Sequence, residues 1–122
     1  MRIGLFDSGV GGFTVIKMVA KLHLNISFVY LADTARLPYG VKSHNEIIQI
    51  ADEISSWFSN QKIDALLVAC NTTNAVALNV IKNKLDIPVF DLIESASSII
   101  QESRVGVIAT PSTVKTKAYT KA

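Results

Sequence analysis

Apolar positions along this chain follow two alternating patterns. RIGLFD, ISFVYLAD and KIDALLVA read as strands, the last apolar without alternation, as expected when both faces of the sheet are covered. Between them the apolar positions space out by three and four. In FTVIKMVAKL, Phe13, Ile16, Val19 and Ala20 recur at helical spacing. In SHNEIIQIADEISSWF, Ile47, Ile50, Ala51, Ile54, Trp57 and Phe58 fall on one face, and Ser43 with Glu46 forms a capping box that satisfies the first free amides. TNAVALNVIKNKL predicts a third helix, with lysines in its last turn against the negative end of the dipole. IPVFDL predicts a short fourth strand, SASSIIQES a helix and RVGVIAT a fifth strand. PSTVKTKAYTKA starts another helix, with Thr110 as its cap and Pro111 at its first position.

Strand and helix thus alternate about five times, with connections long enough for parallel crossovers. The predicted fold is α/β, a doubly wound, mainly parallel sheet with helices on both faces. Composition narrows the class further. A chain of 122 residues is enough for one domain, which buries roughly two-thirds of its extended surface. The net charge of +2 is small and evenly spread, which argues against nucleic acid or an anionic membrane as partner. One cysteine cannot form an internal disulfide. No apolar run approaches the ~18 residues of a membrane-spanning helix, and the N-terminus lacks the apolar core and cleavage pattern of a signal peptide. The expectation is a soluble cytoplasmic protein.

In an open parallel sheet, ligands bind beyond the carboxyl ends of the strands, near a switch in strand order. The polar residues that follow each strand are therefore the candidates. The first strand is followed by Asp7, Ser8 and Gly9-Val10-Gly11-Gly12; the second by Asp33, Arg36 and Pro38-Tyr39-Gly40. The third is followed by Cys70, Asn71, Thr72 and Thr73, the fourth by Asp91 and Glu94, the fifth by Thr110, Ser112 and Thr113. The glycine loop fits no nucleotide motif, since Thr14 stands where a dinucleotide fingerprint needs its third glycine. A tight strand-to-helix turn explains the glycines; free amides at the helix start, beside Ser8, also suit a carboxylate or other small anion.

Cys70 admits two readings. A lone cysteine at a strand end ordinarily packs as a small hydrophobe. A position just ahead of a helix instead favours thiolate, and the neighbouring Asn71, Thr72 and Thr73 either bind a substrate or cap the helix. Asp7, expected close by on an adjacent strand, would then carry a proton to or from the thiol. A working base should also be reachable from solvent. His23 and His44 have no metal-binding spacing and read as solvated surface residues; Trp57 and Phe58 suit core or a covering face.

Four separated segments, in order, resemble the glutamate racemases of the aspartate/glutamate racemase family. These are IGLFDSGVGGFTV, ADTARLPYG, ACNTTNAVAL and RVGVIATPSTVKTKAY. The resemblance implies interconversion of L- and D-glutamate without pyridoxal phosphate or any other cofactor. In that mechanism one thiolate removes the α-proton and a second thiol protonates the opposite face. It further implies that Cys70 acts on the D-enantiomer with Asp7 in support. Ser8, Tyr39, Gly40, Asn71 and Thr72 would hold the charged groups of glutamate, with Thr110 and Thr113 added from the next loop. The product would feed peptidoglycan synthesis in the cytoplasm.

The chain departs from the family pattern at Ser95, where a proline is common, and in having a single cysteine. The second cysteine, with its neighbouring histidine, is absent from these residues. Residues 1–100 are therefore expected to form an N-terminal racemase-like α/β domain, and 101–122 the start of a truncated second one. The alternative is a catalytically inactive dicarboxylate-binding or interaction fragment. In either case RVGVIAT should not stand alone. It is expected to extend the first sheet as a parallel strand, or to pair with a second copy in a homodimer.

Overall fold

Four parallel strands form one sheet in the computed structural model, which describes residues 1–22 and 25–122. His23, expected at the surface, lies outside the described residues. The strands are β1 (Arg2–Asp7), β2 (Ser27–Ala32), β3 (Ala65–Val68) and β4 (Val89–Asp91), in the order β2-β1-β3-β4. Phe6 of β1 lies opposite Leu31 of β2 and Val68 of β3. The chain winds outward from β1 in one direction and then, after β2, crosses to its other side. The carboxyl ends of β1 and β3 consequently flank the switch point, where an α/β sheet offers a crevice. The expected α/β class and parallel pairing are observed.

Six helices accompany the strands among the described residues: α1 (Gly12–Leu22), α2 (His44–Ser59), α3 (Asn71–Lys84), α4 (Leu92–Ser97), α5 (Pro111–Thr116) and α6 (Ala118–Lys121). The capping box at α2 is present, with Ser43 Oγ accepting from the Glu46 amide and the Glu46 carboxylate accepting from the Ser43 amide. The apolar stripe of α2 buries Ile47, Ile50, Ala51, Ile54 and Phe58, while Trp57 sits at its margin, 40% exposed. Together with Phe6, Leu66, Val68, Ala77 and Ile81 these residues make the main core, beneath α2 and α3. His44 is exposed, as expected.

The opposite face carries α1, which buries only Gly12 of its own residues. That glycine is needed for close approach: a Cβ there would stand 2.8 Å from Leu5 Cδ2 and 2.9 Å from Tyr30 Cε2. Phe13 does not reach the core but packs on the Tyr30 ring, with centroids 4.5 Å apart. Helix α4 begins three residues ahead of Ser95, because Asp91 Oδ1 accepts the Glu94 amide at 2.8 Å and caps it.

The fifth strand is not formed. Arg104–Thr110 lies outside the sheet, with Val105 and Val107 about half exposed and Ile108 fully exposed. Neither the expected sheet extension nor a paired segment is seen within the chain. The physical reason is that strand-prone residues make a strand only where a neighbour supplies ladder hydrogen bonds. Among the described residues no strand pairs with this stretch, and its one backbone bond is the helix-opening bond from the Val114 amide to the Thr110 carbonyl.

Candidate functional site

Cys70 occupies the N-cap position of α3, directly beyond β3. The adjacent β1 ends at Asp7, and the two strand ends are joined by the Ala69 amide donating to the Phe6 carbonyl at 2.8 Å. This brings Ser8 to Cys70: the thiol donates to Ser8 Oγ at 3.4 Å. Asp7 itself is buried and does not face an open space. Its Oδ1 accepts from the Ser8 amide and its Oδ2 from the Gly12 amide, both at 2.9 Å. Asp7 thus braces the glycine loop and, through it, Ser8. Nearby, Tyr30 donates from its hydroxyl to the Gly9 carbonyl at 2.8 Å. Burial, then the Asp7 charge, push the Tyr30 phenol above its ordinary pKa.

A run of hydroxyls borders the other side. Thr72 Oγ1 lies 3.0 Å from Thr110 Oγ1, which lies 3.0 Å from Thr113 Oγ1. Thr110 caps α5, as the sequence predicts. Residues 38 positions apart therefore meet because α5 packs against the start of α3. Asn71, the first residue of α3, accepts at Oδ1 from the Tyr119 hydroxyl at 3.0 Å. Thr73 and Asn74 follow on the same helix start, and Thr73 Oγ1 and Asn74 Oδ1 are buried without a protein partner.

The third wall is the turn after β2. Tyr39 is 2% exposed, its ring tilted against Phe6 and its hydroxyl donating to Asp33 Oδ2. Burial, then the hydrogen bond to Asp33, hold the phenol far above its ordinary pKa. The side chain is therefore a neutral phenol whose hydroxyl is engaged by Asp33. The Gly40 carbonyl accepts from Ser112 Oγ at 3.0 Å. Gly40 must lack a side chain, since a Cβ would stand 2.7 Å from Thr110 Cβ and Cγ2.

Of the residues expected at the site, Asp7, Ser8, Cys70, Thr72, Thr110 and Thr113 converge at these strand ends and helix starts. Tyr39 and Gly40 border them through the contacts of Phe6 and Thr110, and Asn71 lies at the exposed rim. One expectation fails. Cys70 is 4% exposed, so the solvent access sought for a working base is not met. It shares the apolar cluster that holds Phe6, Tyr39 and Val68, and Ser8 closes its polar side. Tyr119 and Glu53 were not expected near the site. Tyr119 sits on the separate short helix α6 and reaches the rim only through Asn71, for which the sequence offers no signal; Glu53 carries none either.

Among the described residues no cluster of His, Cys, Asp and Glu could hold a metal ion, and no helix is long and apolar enough to cross a membrane. Residues 15–122 match the family described as Asp/Glu/hydantoin racemase. The chain is 77% identical over 122 residues to the glutamate racemase of Prochlorococcus marinus (strain NATL2A), spanning all of this chain and 46% of that protein. The solved glutamate racemase from Aquifex pyrophilus superposes with a TM-score of 0.91 at 42% identity, over 99% of this chain and 50% of the other. The Francisella tularensis SCHU S4 enzyme, solved in complex with D-glutamate, gives 0.94 at 38% identity, over 98% of this chain and 46% of the other. The chain spans about half the length of the curated relatives it matches.

Proposed function

Because the chain belongs to the Asp/Glu/hydantoin racemase family, we propose that it carries one half of a cofactor-independent glutamate racemase site, with Cys70 as the base for D-glutamate. The observation that carries this reading is the meeting of Cys70, Ser8 and the Thr72–Thr110–Thr113 hydroxyls at the β1/β3 switch point. The Cys70 thiolate takes the α-proton of D-glutamate, leaving a carbanion stabilised as the enediolate of the α-carboxylate. The hydroxyls of Ser8, Thr72, Thr110 and Thr113, with Asn71 and the amides at the start of α3, suit the substrate's carboxylates. Asp7 acts by bracing Ser8 and the glycine loop. Inversion requires a second acid on the opposite face. By the family mechanism that is a second thiol, which this sequence does not contain.

Residues 1–100 are assigned to the N-terminal racemase-like domain and 101–122 to the beginning of a second one. The apolar exposure of Val105, Val107 and Ile108 supports that division. D-Glutamate formed by the complete site would supply peptidoglycan synthesis in the cytoplasm. The burial of Cys70 favours a second reading for this chain by itself: a dicarboxylate-binding fragment without chemistry.

Proton exchange separates the two. With purified chain in heavy water, Cys70 should wash deuterium into the α-position of D-glutamate while the optical rotation stays unchanged, and Cys70→Ser should abolish the wash-in. Net racemisation dependent on Cys70 would show that a second acid exists elsewhere. No wash-in, with D-glutamate still bound, would leave only the binding reading.

A further inference from the structure

Outside the residues considered so far, the turn that borders Cys70 is tied to the far side of α2 by a chain of ionic contacts. Arg36 Nε donates to Asp33 Oδ2 at 2.5 Å, and Arg36 Nη1 donates to Glu53 Oε2 at 2.5 Å. The same Asp33 oxygen accepts the Tyr39 hydroxyl. Glu53 is itself oriented by Gln49 Nε2, which donates to its other oxygen at 3.2 Å. Helix α2 is a firm anchor, since Ile50 and Ile54, on either side of Glu53 in sequence, are buried in the core. Asp33 is anchored from the other direction, its amide donating to the Asp7 carbonyl at 3.1 Å. The guanidinium thus bridges the post-β2 turn and α2 through two carboxylates at once.

We propose that Arg36 is a positioning residue for the candidate site. By joining Asp33 to Glu53 it fixes Asp33 against Tyr39, and so sets the Tyr39–Gly40 backbone beside Cys70 and Thr110. This rests on the reading of the site as a glutamate site, and deepens it. The planar fork matters, because a guanidinium reaches two carboxylates at once whereas an ammonium is a point charge. Arg36 touches none of the hydroxyls assigned to substrate, so its influence passes through the turn.

The test uses the 122-residue chain and two readouts. In the first, iodoacetamide labelling of Cys70 is followed at rising D-glutamate to obtain the concentration giving half-protection. Arg36→Ala should raise that concentration at least about fivefold, roughly the 1 kcal/mol of one well-placed ionic link. Glu53→Gln, which cuts only the outer arm, should raise it about threefold, and Arg36→Lys should recover part of the loss. The second readout is hydrogen exchange at the Lys42 amide, which donates to the Tyr39 carbonyl at 3.1 Å. It should speed up in Arg36→Ala by about tenfold, the factor for 1.4 kcal/mol, while the amides of α2 keep their rates.

Wild-type half-protection in a folded Arg36→Ala overturns the proposal, even if exchange at Lys42 is faster. If Arg36→Ala does not fold, Glu53→Gln decides by the same two measurements. Should the wild-type chain show no protection by D-glutamate, the glutamate reading fails on its own. The Lys42 rate then decides alone whether Arg36 sets the turn, with an unchanged rate overturning it.

Discussion

Replacing Asp7 by asparagine keeps the size of the side chain and removes one of the two acceptors that close the first loop. In the wild type, one carboxylate oxygen accepts the Ser8 amide and the other the Gly12 amide, both at 2.9 Å. An amide side chain accepts at its oxygen only. Its NH2 group would face a backbone N–H, donor against donor. The loss is one hydrogen bond to a charged group, about 1.5–3 kcal/mol, with a buried donor left unpaired at a further cost of about 1–3 kcal/mol. The loop relaxes in part, since Ser8 and Gly9 are only half-buried, so a net of about 2–4 kcal/mol is expected. Unfolding entropy of about 2.1 cal/mol/K per residue converts each kcal/mol into about 4 °C at this chain length.

Urea titration with calorimetry should therefore find Asp7→Asn about 8–16 °C less stable, with an unchanged dependence on urea. Asp64 provides the control. Its Oδ2 accepts the Arg2 amide at 2.7 Å in an exposed position, so Asp64→Asn should cost less than about 1 kcal/mol. A change below about 0.5 kcal/mol for Asp7→Asn would refute the bracing role. It would return Asp7 to the role first expected of it, a carboxylate free to exchange protons with Cys70.

Two further outcomes follow from the turn that borders the site. Gly40→Ala should destabilise by about 1–3 kcal/mol, the usual cost of overpacking, because its Cβ would meet Thr110 Cβ and Cγ2 at 2.7 Å. Thermal melts should find that cost largely removed in a Thr110→Gly background, where the cap is weakened by only a few tenths of a kcal/mol; a persistent cost would mean the strain lies in the Gly40 backbone. Tyr39 gives a pH dependence with a definite sign. Burial and then Asp33 raise its phenol in the folded state, so folding favours the neutral form. Its stabilisation is complete below the ordinary tyrosine value of about 10 and is lost as the pH rises above that. Urea midpoints from pH 8 to 11 should fall less steeply in Tyr39→Phe than in the wild type; equal slopes would contradict the buried phenol.

What the sequence made legible was local. The junction of KIDALLVA with Cys70-Asn71-Thr72 lies where a strand should pass into a helix, and Ser43 with Glu46 caps α2 as its spacing requires. The stripe from Ile47 to Phe58 meets the sheet because burial repeats with the helical period. What stayed illegible was pairing across the fold. Ser112 meets the Gly40 carbonyl across 72 positions, and nothing in either segment names the other. The same holds for Arg36 and Glu53, two ordinary surface charges until α2 is docked on the sheet. Phe13 misled for a related reason. Helical spacing tells which residues share a face, not how deep that face sinks, and α1 approaches the strands closely only at Gly12.

Cys70 brings these limits together. Its burial looks like the mark of a structural cysteine, yet its polar side is not filled by apolar groups. The thiol points to a hydroxyl on a neighbouring loop, and the next residues of α3 reach a hydroxyl run supplied by α5. A cysteine kept only as a small hydrophobe gains nothing from Ser8 and is replaced by alanine or valine at small cost. A base for a carbon acid needs the opposite: neighbours that favour thiolate, such as the free amides at a helix start, and a path by which substrate reaches the sulfur. The partnerless hydroxyl of Thr73 and amide oxygen of Asn74, two and three residues on from Asn71, lie on this same helix start. Buried polar groups left unpaired cost about 1–3 kcal/mol each, a cost that a bound ligand or water would offset, and the proposed glutamate site would supply such a partner beside Cys70.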